Sequence, residues 1–98
     1  HSSIILMEEK FPYIDSLSSK GFISRMTVAL MIDRIRTSKQ QPQLYGTQLK
    51  IDSLGNYALF PIEDEINVDF RRKEVGLYPL KEYLKEFGLD YVPPKKNE

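Results

Sequence analysis

The sequence predicts an α+β domain, mostly helical, with about four helices and one β-hairpin packed on them. Three observations lead there: apolar residues at helical spacing in the N-terminal third and again near the C-terminus, a period-two run over residues 44–52 followed by turn residues and a second apolar run, and a length of 98 residues that suits one core.

Ile4, Met7, Phe11 and Ile14 recur at intervals of three and four, which places them on one stripe of a first helix. Pro12 removes one hydrogen bond and crowds the preceding turn, so a kink at Pro12 or two abutting helices are expected. Gly21 suits the left-handed residue that ends the segment. Ser24 is placed to cap a second helix, with Ile23 and Val28 in the two positions of a hydrophobic staple. Val28, Met31, Ile32 and Ile35 form its apolar stripe, leaving Arg25, Arg36 and Lys39 to solvent. This helix must stop before Pro42, because the residue preceding a proline is pushed out of helical geometry, and residues 37–43 read as a polar loop.

Over residues 44–52 the period changes. Tyr45, Thr47, Leu49 and Ile51 share one face of a strand, and Leu44, Gly46, Gln48 and Lys50 the other. Asp52-Ser53-Leu54-Gly55-Asn56 supplies a turn, and residues 57–62 return as a second strand that Pro61 places at an edge or an end. A lone hairpin is marginal in water, so its apolar face must lie on the helices. Glu63, Asp64 and Glu65 precede a third helix that Asn67 or Asp64 could cap and Gly76 ends. Tyr78-Pro79 opens a last helix with proline in its first position, Leu80, Tyr83, Leu84 and Phe87 form its stripe, and Gly88 closes it. Residues 1–90 then form a single domain, and residues 91–98, rich in proline and lysine, a flexible tail.

Fourteen Lys and Arg balance fourteen Asp and Glu, which removes the positive field that nucleic acid or an anionic membrane would need, so neither is an expected partner. The absence of cysteine excludes disulfides, thiolate chemistry and Cys-rich metal sites. The longest apolar run, Ile4-Ile5-Leu6-Met7, falls far short of the ~20 residues of a membrane span. No cofactor is indicated, and the acidic run at residues 63–65 lacks the spacing of a calcium loop, so no metal is expected. The chain starts at His1 instead of Met, as a processed product or a fragment would. A cytoplasmic location is slightly favoured, with a removed targeting segment left open.

His1 is the one imidazole, hence the one side chain whose ordinary pKa suits proton transfer near neutrality; its terminal position equally fits a residue with no role. Asp33 flanks the apolar stripe of the second helix, where a carboxylate is usually paired. With Arg34 it can hold a loop or present a fork to an anion. Tyr45-Gly46-Thr47-Gln48 puts a glycine inside a strand pattern between hydrogen-bonding side chains, which marks a bulge or a close approach by backbone or ligand. Asn67, Asp69, Arg71 and Arg72 gather at the start of the third helix. There they can hold a phosphate or carboxylate, or make ordinary intrahelical ion pairs and a cap.

Taken in order, Asp33-Arg34, Gln43-Leu44-Tyr45-Gly46-Thr47-Gln48, Pro61-Ile62, Asn67-Val68-Asp69 with Arg71-Arg72, Gly76-Leu77 and Pro79-Leu80 resemble the signature of a bacterial family of uncharacterised domains, over roughly residues 1–84. The resemblance implies a further helical segment upstream and a glutamine before the histidine at position 1. This chain would then be the C-terminal portion of a longer domain, His1 an internal family residue, and part of the apolar surface a seat for the missing segment. It implies no activity.

Two main function classes follow. One is a binding module whose polar pocket, built from Asp33, Arg34, Tyr45, Thr47, Gln48, Asn67, Asp69 and Arg72, takes a small polar or anionic ligand, or a peptide at the hairpin edge. The other is a hydrolase in which His1 acts as acid or base, oriented by Asp33 or Asp69, with Arg34 or Arg72 on developing charge. A third reading makes the polar set a fold-specifying network and the protein an interaction or assembly domain that associates with itself or with the missing segment.

Overall fold

The structure is a computed structural model that describes residues 2–21 and 23–95, without the side chains of residues 2–7, Ile14 and Ser18. His1, the candidate acid or base, lies outside the described residues, as do the side chains of Ile4, Met7 and Ile14. In chain order the elements are helices α1 (Ser2–Ser19) and α2 (Arg25–Ser38), strands β1 (Leu49–Ile51) and β2 (Tyr57–Leu59), a 3₁₀ turn (Glu65–Asn67) running into helix α3 (Val68–Glu74), and helix α4 (Leu80–Lys85).

Helix α1 runs unbroken through Pro12, so the expectation of two abutting helices gives way to one. The ring withdraws a single donor, and a helix of 18 residues holds enough other bonds to span the gap. Gly21, at φ +84°, ends the turn as expected. Ser24 caps α2: its hydroxyl accepts from the Thr27 amide at 3.2 Å. Helices α1 and α2 pack as a pair, with Phe11, Pro12, Ile32 and Ile35 along their shared groove and a Lys39–Glu8 ion pair across it.

The hairpin is antiparallel, with Leu49 opposite Leu59 and Ile51 opposite Tyr57. Its turn is built as the residues dictate: the Asp52 carboxylate accepts from the amides of Leu54 (2.9 Å) and Asn56 (3.0 Å), and Gly55 takes φ +85°. The strand expected over 44–52, however, is formed only at Leu49–Ile51, and the return strand closes at Leu59. Beyond Leu59 the pairing resumes as a single parallel bridge between Gln43 and Ile62. Gln43, read as loop, is fully buried.

Helix α3 starts without either expected cap: Asn67 donates to Asp64 Oδ2 at 2.9 Å, and neither side chain bonds a free helix amide. Gly76 ends α3 at φ +85° and Gly88 ends α4 at φ +75°. Pro79 takes the cap position of α4, one residue before the first helical residue, Leu80. Leu80 and Leu84 are buried with Val68, and Leu49, Leu59, Ile62, Tyr83, Leu89 and Tyr91 pack around them. Tyr91, assigned to the tail by its neighbours in sequence, is half-buried in this cluster and donates its hydroxyl to Glu65 Oε2. Among the described residues no helix is long and apolar enough to cross a membrane.

Candidate functional site

Among the described residues, Val28, Ala29, Val68, Leu80 and Leu84 are the buried apolar side chains, and Asp33, Gln43, Thr47 and Arg72 are buried beside them. Burying that many polar groups in a small core is costly unless each finds partners. Most of their partners lie in the segment 43–48, which is interior loop instead of strand.

Asp33 projects from α2 into this loop. Its Oδ1 accepts from the amides of Leu44 (2.8 Å) and Tyr45 (3.0 Å), and its Oδ2 from the amide and hydroxyl of Thr47 (3.0 and 2.8 Å). Gln43 closes the loop on itself: Nε2 donates to the carbonyls of Gln48 (3.1 Å) and Phe60 (3.2 Å), and Oε1 accepts the Gln48 amide at 2.9 Å. The Gln48 side chain donates to the Thr47 hydroxyl oxygen at 3.1 Å. The loop's outward carbonyls are taken from α3 and α4. Arg71 Nε donates to Leu44 O (2.7 Å), Arg72 Nη1 to Tyr45 O (2.7 Å), and the Tyr83 hydroxyl to Thr47 O (3.0 Å). Side chains thus stand where a strand ladder would have stood, which is how a buried loop meets its hydrogen-bonding requirement. Gly46 makes the bend at φ +72°, with Leu80 and Ile62 against the place a Cβ would occupy.

The remaining candidates are placed as follows. Arg34, next to Asp33, is exposed. Asp69 Oδ1 accepts the Leu80 amide at 2.9 Å, capping α4 across the fold instead of pairing along its own helix. Asn67 is exposed. Arg72 donates Nε to Tyr78 O at 2.7 Å and stacks 5.0 Å from the Tyr83 ring; its Nη2 is buried without a hydrogen-bond partner. Burial pulls the Arg72 pKa down, and Asp69 opposes this. Burial likewise pushes the phenols of Tyr45 and Tyr83 up. The structure therefore gathers Asp33, Thr47, Gln48, Arg72 and the backbone of Tyr45 into one bonded frame, sets Asp69 apart from it on the Leu80 amide, and leaves Arg34 and Asn67 outside it. The surface hollows beside Phe60 and beside Leu89 include none of the frame's buried side chains.

What the frame supports at the surface is aromatic. Tyr57 meets Phe87 edge-on at 5.3 Å between centroids, Phe87 meets Tyr83 at 5.1 Å, and Tyr83 meets Tyr78 at 6.4 Å. Tyr57 is 43% exposed and Tyr78 46%, so the two ends of the row face water. Tyr83, inside the row, is held from behind by its bond to Thr47 and by the Arg72 guanidinium. Glu86 accepts the Tyr78 hydroxyl at one end. The spacing of Tyr83 and Phe87 on one helix face was visible in sequence, but Tyr57 joins them only because the hairpin packs beside α4.

Among the described residues no group of His, Cys, Asp or Glu is arranged to hold a metal ion. Neither a curated protein nor a solved structure matches the chain. Residues 6–92 match the model of a family described as "Family of unknown function (DUF6624)". That span runs from α1 past α4 and takes in both the frame and the row, and the chain belongs to this family.

Proposed function

We propose that this domain is a binding module for extended peptide segments, with the row Tyr57, Phe87, Tyr83 and Tyr78 as its contact surface and the Asp33–Gln43–Arg72 frame as the rigid support. The observation that carries the reading is the anchoring of Tyr83, an interior ring of the row, to Thr47 O and Arg72. Tyrosine and phenylalanine offer large contact area with few rotatable bonds, so a row already held in place loses little entropy on binding. The motif residues from Asp33 to Arg72 act in this reading as the framework of the fold, and the small polar or anionic ligand gives way to a peptide because the Asp33 carboxylate, the Gln43 amide and two of the three Arg72 nitrogens are already bonded within the fold.

The test is an NMR titration of the chain with short extended peptides, proline-rich and β-prone, against a helical control. Shifts should centre on Tyr57, Tyr78, Tyr83 and Phe87, and Tyr57→Ala should abolish them while altering stability by no more than about 1 kcal/mol. Shifts centred on Tyr45 and Gln48, or none with any extended peptide, would overturn the proposal.

A further inference from the structure

The row has an acidic border. Glu86 accepts from Tyr78, and Glu82, one turn earlier on the same face of α4, is exposed. An aromatic surface with carboxylates along one side suits a left-handed polyproline segment that carries a basic residue, because such a segment is extended before it binds and its cation finds a partner at the rim. This chain contains one: Val92-Pro93-Pro94-Lys95, followed in sequence by Lys96. The two prolines fix φ near −65°, so the segment is already close to that conformation.

Within one chain the segment is not seated on any surface. Val92 is 80% exposed, and residues 93–95 are exposed too. Its base, by contrast, is secured, since Tyr91 packs in the core cluster and bonds Glu65. A donor segment with a fixed root and an acceptor row on the same molecule satisfy the requirement for reciprocal exchange about a two-fold axis, in which each copy gives and receives the same contact.

We infer that the aromatic row binds the Val92–Lys95 segment of a second copy of this chain, forming a two-fold dimer by exchange of these segments. The inference rests on the row being a peptide-binding surface, and it adds the occupant.

Sedimentation equilibrium of the full chain tests it. The unaltered chain should dimerise with rising concentration. Pro93→Ala with Pro94→Ala, and separately Glu82→Lys with Glu86→Lys, should each weaken dimerisation about tenfold or more, because each removes a central element of a small interface. Lys95→Glu with Lys96→Glu should weaken it alone and restore it when combined with the Glu82→Lys, Glu86→Lys pair. A chain that stays monomeric, or a dimer indifferent to both sets of substitutions, overturns the inference. A parallel titration with a synthetic peptide of the sequence Tyr-Val-Pro-Pro-Lys-Lys separates the two levels. Binding at the row by a monomeric chain defeats the exchange and leaves the peptide-binding reading standing, whereas failure of this and every other extended peptide defeats both.

Discussion

Thr47 gives Asp33 both of its donors, the hydroxyl at 2.8 Å and the amide at 3.0 Å, on the same carboxylate oxygen. With the Leu44 and Tyr45 amides on the other oxygen, one side chain of α2 replaces the neighbouring strand that this segment lacks.

Removing that carboxylate strands donors in the interior at about 1–3 kcal/mol for each one left unpaired, against a total stability on the order of 5–15 kcal/mol for a domain. Asp33→Ala is therefore expected to lose ~4 kcal/mol or more. Asp33→Asn, which turns an NH₂ group toward amides that need an acceptor, should lose ~2–3 kcal/mol. Urea unfolding followed by circular dichroism measures both, and an Asn variant as stable as the parent chain would refute the role assigned to the carboxylate.

Gly46 and Gly55 both sit at positive φ but differ in surroundings. A Cβ on Gly46 would lie 2.8 Å from Leu80 Cδ1, and Leu80 is fully buried, whereas one on Gly55 meets nothing within 4 Å. Gly55→Ala should incur only the left-handed backbone penalty of ~1–2 kcal/mol, and Gly46→Ala that penalty plus ~1–3 kcal/mol of overpacking. Thermal unfolding of the two variants should rank them in this order; equal losses would mean that the loop does not press on α4.

Arg72 reaches two carbonyls, Tyr45 O and Tyr78 O, from two nitrogens of one planar group. A lysine presents a single ammonium with a shorter reach and gives up the planar contact with Tyr83. Arg72→Lys is expected to cost ~2 kcal/mol, close to one lost hydrogen bond from a charged donor, despite keeping the charge. Equilibrium denaturation of a lysine variant within ~0.5 kcal/mol of the parent would show that charge alone suffices there.

Alkaline pH should weaken the fold. Burial raises the phenol pKa of Tyr45 and Tyr83, and burial followed by the hydrogen bond to Glu65 raises that of Tyr91. The folded state thus favours the neutral phenols. Their contribution is complete below about pH 10, where an unfolded tyrosine ionises, and is lost as pH climbs through the higher folded values. The denaturation midpoint should fall once pH passes about 10, and Tyr91→Phe should soften that fall. A midpoint flat across this range would contradict the burial of these hydroxyls.

Signals confined to a few neighbouring residues were legible before any coordinates. Ser24 three residues before Thr27, the Asp52–Asn56 turn with its glycine, the stops at Gly21, Gly76 and Gly88, and the stripe of Leu80, Tyr83 and Leu84 all occur where the chain places them, with Phe87 in the turn that follows the helix. So did the prominence of Asp33 and of the Tyr45–Gln48 string, though not what joins them. Residues 44–48 alternate in the manner of a strand, and nothing local distinguishes an amide that will bond a ladder partner from one that will bond a carboxylate eleven or more positions away.

The sequence by itself determined the class, the order of elements and the places where each helix ends, because capping, turn formation and amphipathic periodicity act over three or four residues. Only the tertiary structure decided that Gln43 is interior, that Asp69 serves α4, and that Tyr57 completes a row with Phe87, since each of these depends on which distant group arrives opposite a given donor or ring.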